Sequence, residues 1–196
     1  VRRSLLRKSI AGRARACVIG SLIVFAATRS VCAQVAAGEY QIKAAFVRSF
    51  TKFVEWPATS LPPNGSPLCL GIVGDDPFGD TIVDAMHGAT ANGHPIELHH
   101  LLWNEPRLST CHVLFISSSE VQHLSQILTE IDGASVLTVG DFDSFSRRGG
   151  AIELKMIAGR VRFDINLAAA TRAGLHISSK LLSIANSVIQ AQGGRS

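Results

Sequence analysis

An α/β fold is predicted for this 196-residue chain: a three-layer sandwich, its largely parallel sheet flanked by helices, with an antiparallel edge hairpin. Two observations predict it. Short apolar runs of strand length alternate with segments of helical period, the order that builds parallel sheets covered on both faces. Toward the C-terminus that rhythm changes. Two strand-like runs, Ala151 to Ile157 and Arg160 to Ile165, are separated only by Ala158 and Gly159, which suits a tight hairpin.

The first 33 residues read as a leader. Arg2, Arg3, Arg7, Lys8, Arg13 and Arg15 form a basic region. Cys17 to Ala27, "CVIGSLIVFAA", is an 11-residue apolar run, too short to span a bilayer. Val31 and Ala33 place small residues at −3 and −1 of a cleavage before Gln34. A signal peptide over residues 1–33 and a periplasmic domain over 34–196 are therefore expected. A retained anchor is the competing reading. An acylated Cys32 fits less well, because Arg29 stands where such a signal wants an aliphatic residue. Seven of the 19 Lys and Arg lie in residues 1–33 and none of the 15 acids does. The remaining 12 basic and 15 acidic residues give net −3, so no basic patch points to nucleic acid.

Glu39 to Trp56 reads as a helix with Ile42, Ala45, Phe46, Phe50, Phe53 and Trp56 on one broad face, widened by Val47 and Val54. Lys43 falls between Phe50 and Val54 on the wheel and marks the rim of that face. Phe46, Phe50 and Phe53 are assigned to the core, and Trp56, at the helix end, to a partner contact. Pro57 stops the helix. Leu68 to Val73 is a strand. In "GDDPFGD", Asp75 or Asp76 caps a helix with Pro77 in its first turn, running to about His87. Strands follow at Ile96 to Trp103 and Cys111 to Ser117. A helix opens at Ser118 or Ser119 and closes at Gly133, and Ser135 to Val139 is a strand. After the hairpin come a short helix, Asn166 to Ala173, and a longer one, Ser178 to Gln190, with Leu181, Ile184, Ala185 and Val188 on one face.

Candidate chemistry is sparse. "GIVGDDPFGD" lacks the Lys-Ser/Thr of a phosphate loop and the dinucleotide fingerprint. Asp75, Asp76, Asp80 and Asp84 lack the alternation of a Ca²⁺ loop. His99 and His100 point to opposite sheet faces, so only one of them joins any given site. Ser178 is better used as a cap than as a nucleophile beside Lys180, and Asp141 and Asp143 suit a turn. No catalytic set, cofactor or metal site emerges. Two readings remain: a regulatory protein-binding module, with Trp56, Arg172 and Lys180 as contacts, or a small-ligand binder with a pocket at strand C-terminal ends near Asp75, Asp76 and His176. Cys69 and Cys111 are the only cysteines after residue 33 and read as a disulfide in an exported domain. A metal site is the alternative, weakened by the lack of histidine at ligand spacing, although His112 adjoins Cys111.

"YQIKAAFVRSFTKFVEWP" closely resembles the start of the mature domain in the YfiR family of periplasmic regulators. "LCLGIVGDDPFGD", "CHVLFISSSE", "LTVGDFDSF", "GGAIEL" and "VRFDINLAAATRAGLHISSKLLSIA" continue the resemblance in order, over about residues 39 to 190. It implies a non-enzymatic repressor that binds the periplasmic sensor part of an inner-membrane diguanylate cyclase, lowering cyclic di-GMP and biofilm formation. It also implies sequestration by an outer-membrane lipoprotein. The broad aromatic face adds a homodimer or partner contact to these expectations. Cys69 and Cys111 match a family disulfide. A second cysteine pair that some members carry near "SRRGG" has no counterpart in this chain.

Overall fold

The computed structural model describes residues 38–190, so the expected signal peptide lies outside the described residues. Helix α1 spans 38–53. Its buried stripe is Ala44, Val47, Phe50 and Thr51, continued by Val54, at the three- and four-residue spacing of one helix face. That stripe is rotated from the expected one. Ala45 is exposed, Ile42 is half exposed and Lys43 is buried. Phe46 and Phe53 lie at its margins, packed against the core but partly exposed. The apolar arc is wide enough to be buried at more than one rotation, and the partner found by Lys43 selects one.

The helix also ends earlier than expected. Pro57 disfavours helical geometry in the residue before it, and the chain is already extended at β1 (Val54–Glu55). β1 pairs antiparallel with β9 (His176–Ile177). Strands β2 (Leu68–Val73), β3 (Thr90–Ala91), β4 (His94–Leu101), β5 (Val113–Ile116), β6 (Leu137–Gly140), β7 (Ile152–Ile157), β8 (Arg160–Asn166) and β10 (Ser187–Ile189) form one sheet. Its order is β10-β8-β7-β6-β5-β2-β4-β3. From β7 across to β4 all pairings are parallel.

Strand alternation divides the apolar residues between two faces. Leu70, Ile72, Val113, Phe115, Leu137 and Val139 share a core with α1, with α2 (Asp80–Met86), with α4 (Leu167–Arg172) and with Leu181 of α5 (Ser179–Ile184). Val73, Leu114 and Ile116 share the other with Leu124 and Ile127 of α3 (Leu124–Glu130). This is the expected three-layer α/β arrangement, its two helical layers meeting the sheet through Phe50 on one side and Ile127 on the other.

The hairpin pairs antiparallel from Ile152↔Ile165 to Ile157↔Arg160. Ala158 and Gly159 both have positive φ, the requirement of a two-residue turn that follows the strand twist. The sheet does not end there. The helix expected to reach Gln190 stops at Ile184, and β10 pairs parallel with β8. β-Branched Val188 and Ile189 favour the extended form. Asn186 makes the switch: its N–H donates to the Phe163 carbonyl at 2.8 Å and its Nδ2 to Asp164 Oδ1 at 2.7 Å. Asp164 in turn pairs with Lys155, whose Nζ lies 3.0 Å from Glu153 Oε1. Asp76 likewise departs from the expected cap. Its Oδ1 accepts from Phe78 N at 2.8 Å and Gly79 N at 3.3 Å, closing a turn before α2 starts. Ser178 does cap α5, accepting from Leu181 N.

Cys69 and Cys111 are disulfide-bonded, with 4.6 Å between Cα atoms, and join β2 to the entrance of β5. His112 follows directly and is buried. Its Nδ1 accepts from Cys69 N at 3.2 Å and its Nε2–H donates to Ser60 O at 3.1 Å, so both ring nitrogens serve the fold. Its carbonyl accepts from Trp56 Nε1 at 3.3 Å. Burial lowers the imidazole pKa below its ordinary 6.5, against the opposing pull of the Ser60 carbonyl.

Two predictions follow from this end of the sheet. Replacing Cys69 and Cys111 together by serine lowers unfolding free energy by about 2–5 kcal/mol. Urea denaturation of the two forms checks it, and equal midpoints refute it. A depressed folded pKa means that His112 stabilises the fold fully above pH about 6.5 and loses that contribution as pH falls through its folded value. Melting temperature should therefore fall on acidification below about pH 6.5, and by less in His112→Gln. Parallel pH profiles in the two proteins refute the assignment.

Candidate functional site

The chain passes from β2 to β4 on one side, then returns to place β5 on the other side of β2. The carboxyl ends of β2 and β5 therefore flank the topological switch point, where open α/β sheets bind ligands. Gly74 to Asp76 leave β2 here, and Ser117 to Glu120 leave β5. Asp75 N donates to Ser119 Oγ at 3.0 Å across the gap. Gly74 has φ +89, and a Cβ at that position would meet Ser119 Oγ and Glu120, so glycine is required by backbone and space together. Asp76 Oδ2 lies 3.0 Å from His100 Nε2.

The start of α1 sits at this same end of the sheet. Lys43 Nζ lies 2.9 Å from Asp141 Oδ2, just past β6, and 2.6 Å from Glu39 Oε1. Tyr40 OH donates to the same Asp141 oxygen at 2.9 Å, and its ring meets Phe78 edge-on at 5.4 Å. The side chains of Lys43 and Asp141 are only 5% and 3% exposed, so each charge depends on the other. Burial alone would lower the lysine pKa. The hydrogen bonds to Glu39 and Asp141 and the charge of Asp141 outweigh it, and the net direction is upward. Burial, with Asp141 beside it, pushes the Tyr40 phenol up to about 12. Near neutral pH the lysine stays protonated and the phenol neutral. The pair thus holds structure together and offers neither a base nor a nucleophile.

The residues expected to form a ligand pocket do not converge. Asp75 and Asp76 stand at the switch point. His176 lies on the β1–β9 ribbon, 3.4 Å from Glu55 and largely exposed. That ribbon adjoins Trp56, which bonds to His112 ahead of β5, so His176 belongs to the opposite, N-terminal end of the strands. Trp56, expected as an exposed contact, is 6% exposed and part of the core. The early end of α1 turns it inward, where its N–H finds the His112 carbonyl. Lys43, expected at a rim, is buried. Arg172, the last residue of α4, and Lys180, on α5, are exposed. Arg172 lines shallow depressions shared with Asp132 and Gly133 on one side and with Thr171 and Gln190 on the other. Among the described residues no group of three or more His, Cys, Asp or Glu is placed to hold a metal ion.

Sequence reading missed Tyr40, Asp141 and the core role of His112. Glu39 and Lys43 stand four residues apart on one helix face, but nothing local links Lys43 to an acid 98 residues away. Lys43→Met leaves Asp141 buried without its counter-ion and should cost about 3–5 kcal/mol. Adding Asp141→Asn should recover part of that loss. Chemical denaturation of the single and double variants tests this, and a double variant as unstable as the sum of its singles would refute the pairing.

The comparisons with known proteins extend these observations. A sequence profile described as YfiR/HmsC-like matches residues 40–186. No curated protein matches the sequence. Among solved structures, a conserved domain protein from Vibrio cholerae is 14% identical with a TM-score of 0.46, over 61% of this chain and 54% of that one. An ABC domain in complex with L-Trp from Streptococcus pneumoniae is 11% identical with a TM-score of 0.44, over 67% of this chain and 57% of that one. The chain thus spans little more than half the length of either. The profile match runs from the first turn of α1 through α5, and by it the chain belongs to the YfiR/HmsC-like family.

Proposed function

We propose that this protein binds and represses the periplasmic sensor part of an inner-membrane diguanylate cyclase, and that an outer-membrane lipoprotein relieves the repression by sequestering it. Family membership indicates a periplasmic regulator in cyclic di-GMP signalling, and it is the observation that carries this reading. Among the described residues no helix is long and apolar enough to cross a membrane. Two features of the domain agree with action by occupancy. Lys43 and Asp141, buried at the carboxyl end of the sheet, are locked into an ion pair and hydrogen bonds, and Arg172 and Lys180 present positive charge from the exposed faces of α4 and α5. The small-ligand alternative loses one of its three residues, because His176 lies at the other end of the sheet from Asp75 and Asp76.

Deleting the gene should raise cellular cyclic di-GMP, and returning the protein to the periplasm should lower it, but only in cells that possess the partner cyclase. Arg172→Glu combined with Lys180→Glu should lose repression while melting like the wild type. Charges at a solvated rim change affinity modestly, whereas a desolvated pair costs about 2–5 kcal/mol when broken. Cyclic di-GMP that is unchanged by deletion and by complementation, with folded protein present, would overturn the repressor reading.

A further inference from the structure

The β7–β8 hairpin outruns the sheet that carries it. β6 pairs with β7 at Val139↔Ile152 and Gly140↔Glu153, and β10 pairs with β8 from Asp164 to Asn166. The two hairpin strands stay paired with each other as far as Ile157↔Arg160. Because β7 runs parallel to β6, its free end projects past the carboxyl ends of the strands. At about 3.3 Å per residue, the run from Glu153 to Ile157 carries the tip about 13 Å beyond the last pairing with β6.

The projecting segment, Leu154 to Phe163, reads "LKMIAGRVRF": three cations and no acid, in a chain whose residues 34–196 carry 15 acids against 12 bases. Cross-strand pairing sorts these side chains onto two faces. Leu154 and Phe163 are buried on the face that meets α1, where Phe46 lies 5.4 Å from the Phe163 ring. The next pair outward on that face is Met156 with Val161, and Met156 is 45% exposed. Lys155, Ile157, Arg160 and Arg162 share the opposite face. Lys155 is held there by Glu153 and Asp164. Arg160 and Arg162 are exposed, and neither joins an ion pair among the described residues. Ile157 beside them is 38% exposed, and the turn at Ala158 and Gly159 is exposed as well. Ile42 lies one helical turn nearer the same end than Phe46 and is 50% exposed, so α1 adds apolar surface close to the arm.

Apolar side chains thus occupy the point of the arm, and guanidinium groups stand beside and behind them. That order suits a bilayer, in which an apolar tip passes between the headgroups while cations stay at the phosphates. It suits an acidic protein segment less, since such a partner would leave the apolar tip uncovered. The acid excess of the domain lies outside the arm, which turns the arm toward an anionic surface and the other faces away from it. We propose that the β7–β8 hairpin is a membrane-docking arm: Met156 and Ile157 enter the headgroup region of a bilayer containing anionic phospholipid, and Arg160 and Arg162 bind its phosphates. The contact is peripheral and reversible, and it does not depend on which protein the domain regulates.

Density-gradient flotation with vesicles of phosphatidylglycerol and phosphatidylethanolamine tests this, with phosphatidylcholine vesicles as the zwitterionic control. At low ionic strength the protein should float with the anionic vesicles and not with the control, and added salt should release it. Arg160→Gln combined with Arg162→Gln should weaken the partition roughly tenfold or more, with circular dichroism and melting unchanged. Met156→Ser combined with Ile157→Ser should weaken it as well. An environment-sensitive fluorophore on Ile157→Cys should shift to the blue when anionic vesicles are added, while one on His176→Cys, at the opposite end of the strands, should not. A wild type that stays unbound, equal binding to the control vesicles, arginine variants that bind as the wild type does, or a blue shift at position 176 in place of 157 would each overturn the proposal. So would an arm that ignores both kinds of vesicle and binds an acidic peptide instead.

Discussion

Lys43 and Asp141 fix how the first helix lies on the sheet. The helix carries more apolar surface than one rotation can bury, and Phe46, Phe50 and Phe53 alone would tolerate several. An ammonium 5% exposed tolerates one, the rotation that reaches a carboxylate. Once that contact is set, Phe50 lands on Phe163 at 5.2 Å, Phe46 on the same ring at 5.4 Å, and the far end of the helix delivers Trp56 to His112. Ser178 N then bonds to Phe53 O at 2.9 Å, tying the approach to α5 onto the helix end. A single charged pair at one end of the sheet thus governs the packing of residues at the other.

Much of this was legible in the sequence, and the limits have physical causes. The order of strands and helices, the hairpin turn at Ala158 and Gly159, the cap at Ser178 and the Cys69–Cys111 bond all follow from local chemistry or from compartment. What was misread depended on distant partners. The rotation of α1 needed Asp141. The inward turn of Trp56 needed both the extended geometry that precedes Pro57 and an acceptor just ahead of β5, the His112 carbonyl. The strand at 187–189 was read as helix because Leu181, Ile184, Ala185 and Val188 keep helical spacing. Asn186 breaks that run only by bonding to Phe163 and Asp164 of a neighbouring strand. The supposed cluster of Asp75, Asp76 and His176 failed because two short segments, β1 and β9, hold His176 at the wrong end.

The two ends of the sheet have different characters. At the carboxyl ends the buried polar groups are charged and paired, as at Lys43, Asp141 and Glu39. At the amino ends the fold relies on a neutral imidazole and a covalent bond, with Ser60, Cys69 and Trp56 all tied to His112. Acid therefore reaches the amino end through the His112 imidazole, whereas at the other end the Tyr40 phenol holds its proton to about pH 12. α1, at about 1.5 Å per residue, is long enough to touch both.

The same helix imposes an order on the making of the protein. It is the first described element to leave the ribosome, yet its counter-charge lies 98 residues downstream and the ring it packs on, Phe163, further still. Contacts of such separation form late, because the intervening chain must be closed before they contribute. Until Asp141 has been synthesised the helix cannot pair its buried lysine, and until the hairpin follows it cannot pack Phe46 and Phe50 on Phe163. Nearly the whole domain must be present before its first segment finds its place, and so the emerging chain passes through a long interval with that surface uncovered.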